Sequence, residues 1–280
     1  MVFDTSYVTR RFVILGLAIA VAVVAAVSLY RLYAARQGER YISGRPASPE
    51  ALLAGWAEEN VRAVQEKLRD GGFYSGEIDG TYGSELALAL ARYQIRNGLP
   101  ITGQLDVDTS NALGVKPAVT TSTAAREQSS ETWRRLRIGE LQTQPIVSPS
   151  MEPSTTNIST ERLRDYVGAF VLAGLDPQVG AEAAFFADRV QYYNEGIKDR
   201  EKIRKDLQRY AARWPERKFW LAGDINVERQ SGNRVRVTFP LRYELRSGTK
   251  HSSGKIDKTL VLKPAGDDFE IVAVNERKAQ

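Results

Sequence analysis

Cysteine is absent from the 280 residues, which removes disulfides, thiolate nucleophiles and thiolate-bound zinc or iron–sulfur centres. Histidine occurs once, at position 251, so a Ser–His–Asp hydrolysis would have to run through it and multi-histidine metal sites are excluded. His251 falls in the polar stretch THSSG, which reads as an exposed loop. No metal site, cofactor or catalytic group is expected, and composition leans against an enzyme. Basic charge is also missing where nucleic-acid binding would need it. The net charge is +5, yet residues 50–115 carry five basic and ten acidic residues, and the surplus lies in residues 1–49 and 155–280. With no continuous basic stripe and no recognised motif, nucleic acid is not an expected partner.

Hydrophobic residues make up 42% of the chain and charged residues 26%, a globular balance. One long apolar run stands out. Phe12 to Tyr30, FVILGLAIAVAVVAAVSLY, holds nineteen residues without a charge. At about 1.5 Å per residue it reaches roughly 28 Å, close to a bilayer core. Arg10 and Arg11 precede it, Arg31 and Arg36 follow, and Tyr30 and Tyr33 stand where an aromatic belt would. A cleaved signal peptide shares the basic start and the apolar run. This run exceeds a usual signal core and no clean A-x-A site precedes its end. Residues 1–11 are therefore expected as a short cytoplasmic N terminus, 12–33 as an uncleaved transmembrane signal-anchor and 34–48 as a stalk. The flanking charges nearly balance, so orientation has to follow from what the soluble part binds.

Ser48-Pro49-Glu50 offers an N-cap, a first-turn proline and a first-turn acid, so order resumes there. Val61, Val64 and Leu68 have helical spacing up to Gly71-Gly72, and Leu86, Leu90 and Tyr93 mark another helix ending near Asn97-Gly98. Asp108 is placed to cap a short helix ending at Leu113. Between them, glycines at 76, 80 and 83 suit tight turns with positive φ, Asp79 suits nearby backbone amides, and Gln65 and Gln94 suit ties from helix to loop.

The segments VRAVQEKL at 61–68, GFYSGEIDGTYG at 72–83, ALARYQ at 89–94, GLPITGQLD at 98–106, and Thr109 with Leu113 form a long ordered pattern. In these segments residues 49–115 resemble the three-helix peptidoglycan-binding domain of bacterial wall enzymes and envelope proteins. Leu86 departs from the family's usual threonine at a helix start. The resemblance implies a wall-binding cleft without fixing its lining. Tyr74 and Tyr82 are candidates for stacking on sugar rings, and Arg92, Arg96 and Asn97 for meeting the carboxylates and amides of stem peptides. If this domain meets peptidoglycan, the anchor is N-in, and the soluble domains lie in the periplasm of an inner-membrane, single-pass protein.

Residues 116–157 are rich in Ser, Thr and Pro and read as a flexible linker, with ETWRRLRIGE at 131–140 as a partly ordered piece or a docking segment around Trp133. Residues 158–280 begin with helical spacing at Leu163, Tyr166, Val167, Phe170 and Val171, closed by Leu175-Asp176-Pro177, before a shorter helix through Ala187. A strand follows at Val190–Tyr193, then a helix with Ile203, Leu207 and Tyr210 inward. The period becomes two from Val235 to Leu245, a strand with one buried face, and runs at 217–229, 255–264 and 268–276 supply three more.

Helices first and a curved antiparallel sheet afterwards describe an α+β cone. With FFADRVQYYNEGIKDREKIRKDLQRYAARWPERKF from residue 185, this part resembles the nuclear transport factor 2-like superfamily. The resemblance implies either a pocket that does chemistry or a module that binds partners. Asp188, Tyr192, Tyr193 and Tyr243 are the pocket candidates. The basic sheet face of Arg234, Arg236, Arg242 and Arg246 suits a partner, including a second copy. The leading expectation is a multidomain, non-enzymatic envelope protein. It would bind peptidoglycan through its middle domain and a partner or small ligand through its cone. A pocket enzyme and a membrane-bound cytoplasmic scaffold are the alternatives.

Overall fold

The computed structural model describes residues 58–115, 123–139 and 159–279. The expected anchor at 12–33, the stalk, the Ser48-Pro49-Glu50 cap and residues 116–122 and 140–158 lie outside the described residues. Among the described residues no helix is long and apolar enough to cross a membrane.

Three helices open the described chain: α1 (Glu58–Asp70), α2 (Ser84–Asn97) and α3 (Val107–Leu113). The inward faces of α1 and α2 place Val61, Val64, Leu68, Leu86 and Leu90 in one core with Tyr74, Tyr82 and Leu105. Gly98 ends α2 at φ 61, the left-handed conformation that a glycine adopts without a Cβ penalty. The cap of α3 is Asp106, not Asp108: its carboxylate accepts from the Thr109 amide at 2.8 Å and the Thr109 hydroxyl at 2.7 Å. Asp108 is exposed within the first turn.

α2 is buried on more than one face. Leu86 through Ala91 are all 1% exposed or less. Leu88, Ala91 and Ile95, on the side away from α1, join a second and larger core. A helix apolar nearly all round must be covered nearly all round, and the cover comes from the stretch read as linker. There α4 (Thr123–Ile138) is a helix that buries Trp133 and Leu136. The expectation of a flexible spacer is corrected over this segment: Trp133 is a docking residue. It packs against Phe185 with ring centroids 5.5 Å apart, and its indole N–H donates to Asp176 at 2.6 Å.

The C-terminal part starts with α5 (Thr160–Ala173), capped by the Ser159 hydroxyl, which accepts from the Arg162 amide. A 3-10 turn at Ala181–Phe185 stands where a helix through Ala187 was expected, because the chain is already extended at Phe186. There follow β1 (Phe186–Tyr192), β2 (Ile197–Asp199), α6 (Arg200–Arg213), β3 (Glu216–Leu221), β4 (Asn226–Gln230), β5 (Arg234–Ser247), β6 (Lys250–Ala265) and β7 (Asp268–Lys278). The sheet order is β2-β1-β7-β6-β5-β3, with β4 also on β5. Every pairing is antiparallel except β1 with β7, so the sheet is mixed rather than wholly antiparallel. Register shifts at Phe186/Gln191 and Val261/Leu262 bend it around α5.

The run 217–229 is two strands, not one. β3 pairs with residues 241–246 of β5 and β4 with 234–238. Between them Pro240 has no N–H to offer, and the chain leaves the ladder with a single Ala222 amide donating to the Pro240 carbonyl at 2.9 Å. His251 lies on β6 opposite Arg246 and not in a loop, though it is exposed.

The described residues belong to one compact unit. The three-helix domain is seated on the cone. The Ile101 amide donates to the Phe219 carbonyl of β3 at 3.0 Å, and Ile101 and Ile95 share a core with Tyr166, Val167 and Leu221. Arg135 of α4 pairs with Glu85 on α2 at 2.6 Å, and Arg137 pairs with Asp268 at the start of β7 at 2.7 Å, so α4 bridges both parts.

Candidate functional site

The loop at 72–83 is built around Gln65. Its amide nitrogen donates to Asp79 at 2.8 Å, to the Tyr74 hydroxyl and to the Thr81 carbonyl, while its oxygen accepts from the Gly80 amide at 2.9 Å. Asp79 also accepts from the Thr81 amide, as expected from the sequence. Gly80 has φ 77, but Gly76 is required for space: a Cβ there would lie 2.6 Å from the Tyr74 hydroxyl. Gln94 performs the matching task for the 98–106 loop, with contacts to Thr102, Gly103, Gln104 and Thr109.

This framework relocates most of the residues expected to touch ligand. Tyr74 and Tyr82 are 6% and 8% exposed, and each hydroxyl donates to a backbone carbonyl, that of Glu77 and that of Gly103. They are core residues and present no face to a sugar. Arg92 and Arg96 turn inward to the cone, where both reach the Asp165 carboxylate of α5, at 3.3 and 2.9 Å. Asn97 alone of the five is exposed, its amide donating to the Tyr93 carbonyl at 2.8 Å. Beside it lies a pair that the sequence reading missed. Phe73 and Tyr93, both half-buried, meet edge to face with centroids 5.3 Å apart. The signal was an aromatic on each side of the glycine-rich loop, hidden because Tyr93 reads as a core position of α2.

A groove of about 1090 Å³ opens where the two parts meet, with Thr102 and Gln104 on one wall and Arg217, Lys218, Glu244 and Arg246 on the other. A separate cavity of about 720 Å³ lies inside the cone. Tyr192, Tyr193 and Tyr243 line it. Asp188 does not: its side chain is 92% exposed and pairs with Arg200 at 3.2 Å. It alternates to the outer side of β1 and is removed from the pocket set.

Two cavity residues escaped the sequence reading. Glu182 is buried, and burial pushes its carboxyl above the usual range. Lys258 donates to the Tyr193 hydroxyl at 3.1 Å and pairs with Glu276 at 3.2 Å. Burial works against its charge, but Tyr193 and Glu276 outweigh that and raise its pKa. Tyr193 reaches Lys258 from a backbone at φ 47, a left-handed conformation uncommon outside glycine. A lone acid within GAEAAFF and a lysine inside an apolar strand were the available signals.

The family described as "Putative peptidoglycan binding domain" matches residues 57–113. Over 69 residues the chain is 41% identical to the Localization factor PodJL of Caulobacter vibrioides, covering 25% of this chain and 7% of that protein. It is 33% identical over 66 residues to the Spore cortex-lytic enzyme of Bacillus cereus, covering 24% of this chain and 26% of the enzyme. The chain thus spans a small part of the curated relatives it matches. Among solved structures, a nuclear transport factor 2 (NTF2-like) superfamily protein from Salmonella enterica aligns with a TM-score of 0.33 at 13% identity, over 38% of this chain and 82% of that one. The chain therefore carries a small helical domain of the peptidoglycan-binding type, followed by an α+β cone whose structural neighbours are NTF2-like proteins.

Proposed function

We propose that this protein is a non-enzymatic, membrane-anchored component of a bacterial envelope, which holds peptidoglycan with its three-helix domain and a partner or small ligand with its cone. The observation that carries the reading is the family match at residues 57–113 together with the seating of that domain on the cone. A module fixed rigidly to a second binding domain brings whatever the second domain holds to the wall at raised effective concentration. The same module in a protein named as a localization factor and in one named as a cortex-lytic enzyme supports a positioning role over any particular chemistry. The wall-facing surface is the exposed side of α2 at Tyr93 and Asn97 together with Phe73 from the turn after α1, since Arg92 and Arg96 are spent on Asp165.

Two experiments test this. The detergent-solubilised full chain is expected to co-sediment with purified sacculi, and Tyr93→Ala to weaken that retention about tenfold, the loss of roughly 1.4 kcal/mol of stacking. Wild-type protein left in the supernatant would remove the wall-binding role. The charge-free run at 12–30 is the basis for an anchor, and wall binding by the three-helix domain is the basis for its N-in orientation. A phosphatase reporter fused behind Gln280 should therefore be active, and an inactive fusion of normal abundance would place the domains in the cytoplasm.

A further inference from the structure

The groove between the three-helix domain and the cone runs along an open strand edge. β3 is the last strand of the sheet, and two bonds fix the phase of its backbone. The Ala222 amide donates inward to the Pro240 carbonyl of β5, whereas the Phe219 carbonyl faces outward and accepts from the Ile101 amide. In an antiparallel strand the amide and carbonyl of one residue share a side, and the side alternates along the chain. The outward groups are therefore those of Arg217 and Phe219. Ile101 takes the Phe219 carbonyl, and its loop then bends at Gly103, φ 64. Among the described residues no other backbone bond crosses this edge at 216–219. The Arg217 amide and carbonyl and the Phe219 amide remain, and Arg217 lines the groove of about 1090 Å³.

The walls of this groove fit a peptide. Leu175, Pro177, Ala212 and Pro215 offer apolar contacts to small side chains. On the ladder of β3 with β5, Glu216 stands opposite Arg246 and Lys218 opposite Glu244, yet neither couple closes into an ion pair. Glu244 is held by Arg242 at 2.8 Å, and Glu216, Lys218 and Arg246 are exposed and make no ion pair among the described residues. Lys218 and Arg246 share a face two ladder positions apart, about 7 Å along the strand. That spacing suits two carboxylates on one chain, and Glu216 beside them suits an amine. A glycan has no extended backbone of alternating donors and acceptors to lie along β3. We propose that the groove binds an extended peptide bearing two carboxylates and an amine, laid along the free edge of β3, and that in the wall this peptide is the stem peptide of peptidoglycan. The cone then supplies part of the wall site itself. The proposal rests on the wall-binding reading and deepens it: the exposed face of α2 meets sugar, and the groove meets peptide. The loop that leaves α2 after Asn97 carries Thr102 and Gln104 to the groove wall, so the two surfaces are joined by one short segment.

The test uses the detergent-solubilised full chain with two probes: stem peptides released from sacculi by an amidase, and the peptide-free glycan strands left behind. In calorimetric titrations the peptide is expected to bind saturably at one site per chain. Lys218→Gln combined with Arg246→Gln removes both cations at exposed positions, so the unfolding temperature should hold while peptide affinity falls about tenfold. Amide exchange gives a readout that charge alone does not move. Saturating peptide should slow exchange at Arg217 and Phe219 about tenfold, while the Lys218 amide, already turned to β5, keeps its rate. Equal peptide affinity in wild type and the double variant, or unaltered exchange at Arg217 under bound peptide, overturns the proposal. Binding of the glycan strands without the peptide also overturns it, as does a shift from dimer to monomer in the double variant, which would give the edge to a second copy. Sacculus retention, measured on the same samples, separates the two levels. Retention without peptide binding removes the groove and leaves the wall role, and absence of both removes the reading on which the groove rests.

Discussion

Asp165→Ala is expected to cost about 3–5 kcal/mol of unfolding free energy, the range for removing one member of a buried ion network. Asp165 is the buried acid of α5 in the contact with α2, its side chain is 11% exposed, and it receives Arg92 and Arg96 together. Arg96 retains Glu161 at 2.6 Å, but that carboxylate is 65% exposed and therefore screened. Its Nη1 is already buried without a partner, so the site tolerates little further loss. Asp165→Asn keeps an acceptor and should lose less than half as much. Replacing Asp165 with Leu together with Arg92 and Arg96 with Met should recover most of the deficit, because no charge is then stranded. Chemical denaturation followed by tryptophan fluorescence measures all three. A loss below about 1 kcal/mol for Asp165→Ala would mean that apolar packing alone seats the domain.

Gln94→Leu is expected to be comparably severe, at about 4 kcal/mol. The Gln94 oxygen accepts from the Thr102 and Gly103 amides at 3.0 and 2.8 Å, and an apolar side chain strands both donors at about 1–3 kcal/mol each. Its nitrogen donates to the Gln104 carbonyl at 2.7 Å and to the hydroxyls of Thr102 and Thr109, so the 98–106 loop loses its side-chain attachment to α2 and keeps only the backbone bonds of the helix end. Because the Ile101 amide in that loop reaches β3, the damage should spread to the domain contact. Amide exchange is the readout: protection at Thr102 and Gly103 should collapse. Unchanged exchange there would show that the loop is held by other means.

These two residues mark the boundary of what the sequence made legible. Gln94 was read as a tie from helix to loop because a glutamine between apolar helical positions has to spend its amide locally, and it does. Arg92 and Arg96 were read as ligand contacts because an arginine on a helix is normally solvated. Nothing in residues 92–96 reveals an aspartate some seventy positions later. The same limit explains α4. Its Ser- and Thr-rich approach has linker composition, and Trp133 becomes a core residue only once Asp176 and Phe185 are beside it. Alternation along β5 was local and therefore visible, whereas the parallel pairing of β1 with β7 was not. The cavity tyrosines at 192, 193 and 243 were found from strand and loop position, while Glu182, whose Oε2 has no hydrogen-bond partner, was not among the candidates. That missing partner is what singles it out in the structure.

The placement of β7 between β1 and β6 also governs when the cone comes into existence. β1 and β2 form a local hairpin, and β5 and β6 another, but the two halves share no strand until residues 268–278 arrive. Contacts of this sequence separation form late and slowly. A chain still emerging from the ribosome thus has no completed sheet for the three-helix domain to rest against. The apolar outer side of α2, with Leu88, Ala91 and Ile95, is met by α4 and α5, and what stays uncovered for that interval is the cone-facing side of α5, with Tyr166, Val167 and Phe170. The window in which this protein is open to aggregation is set by its final β-strand, far along the chain from the surface it protects.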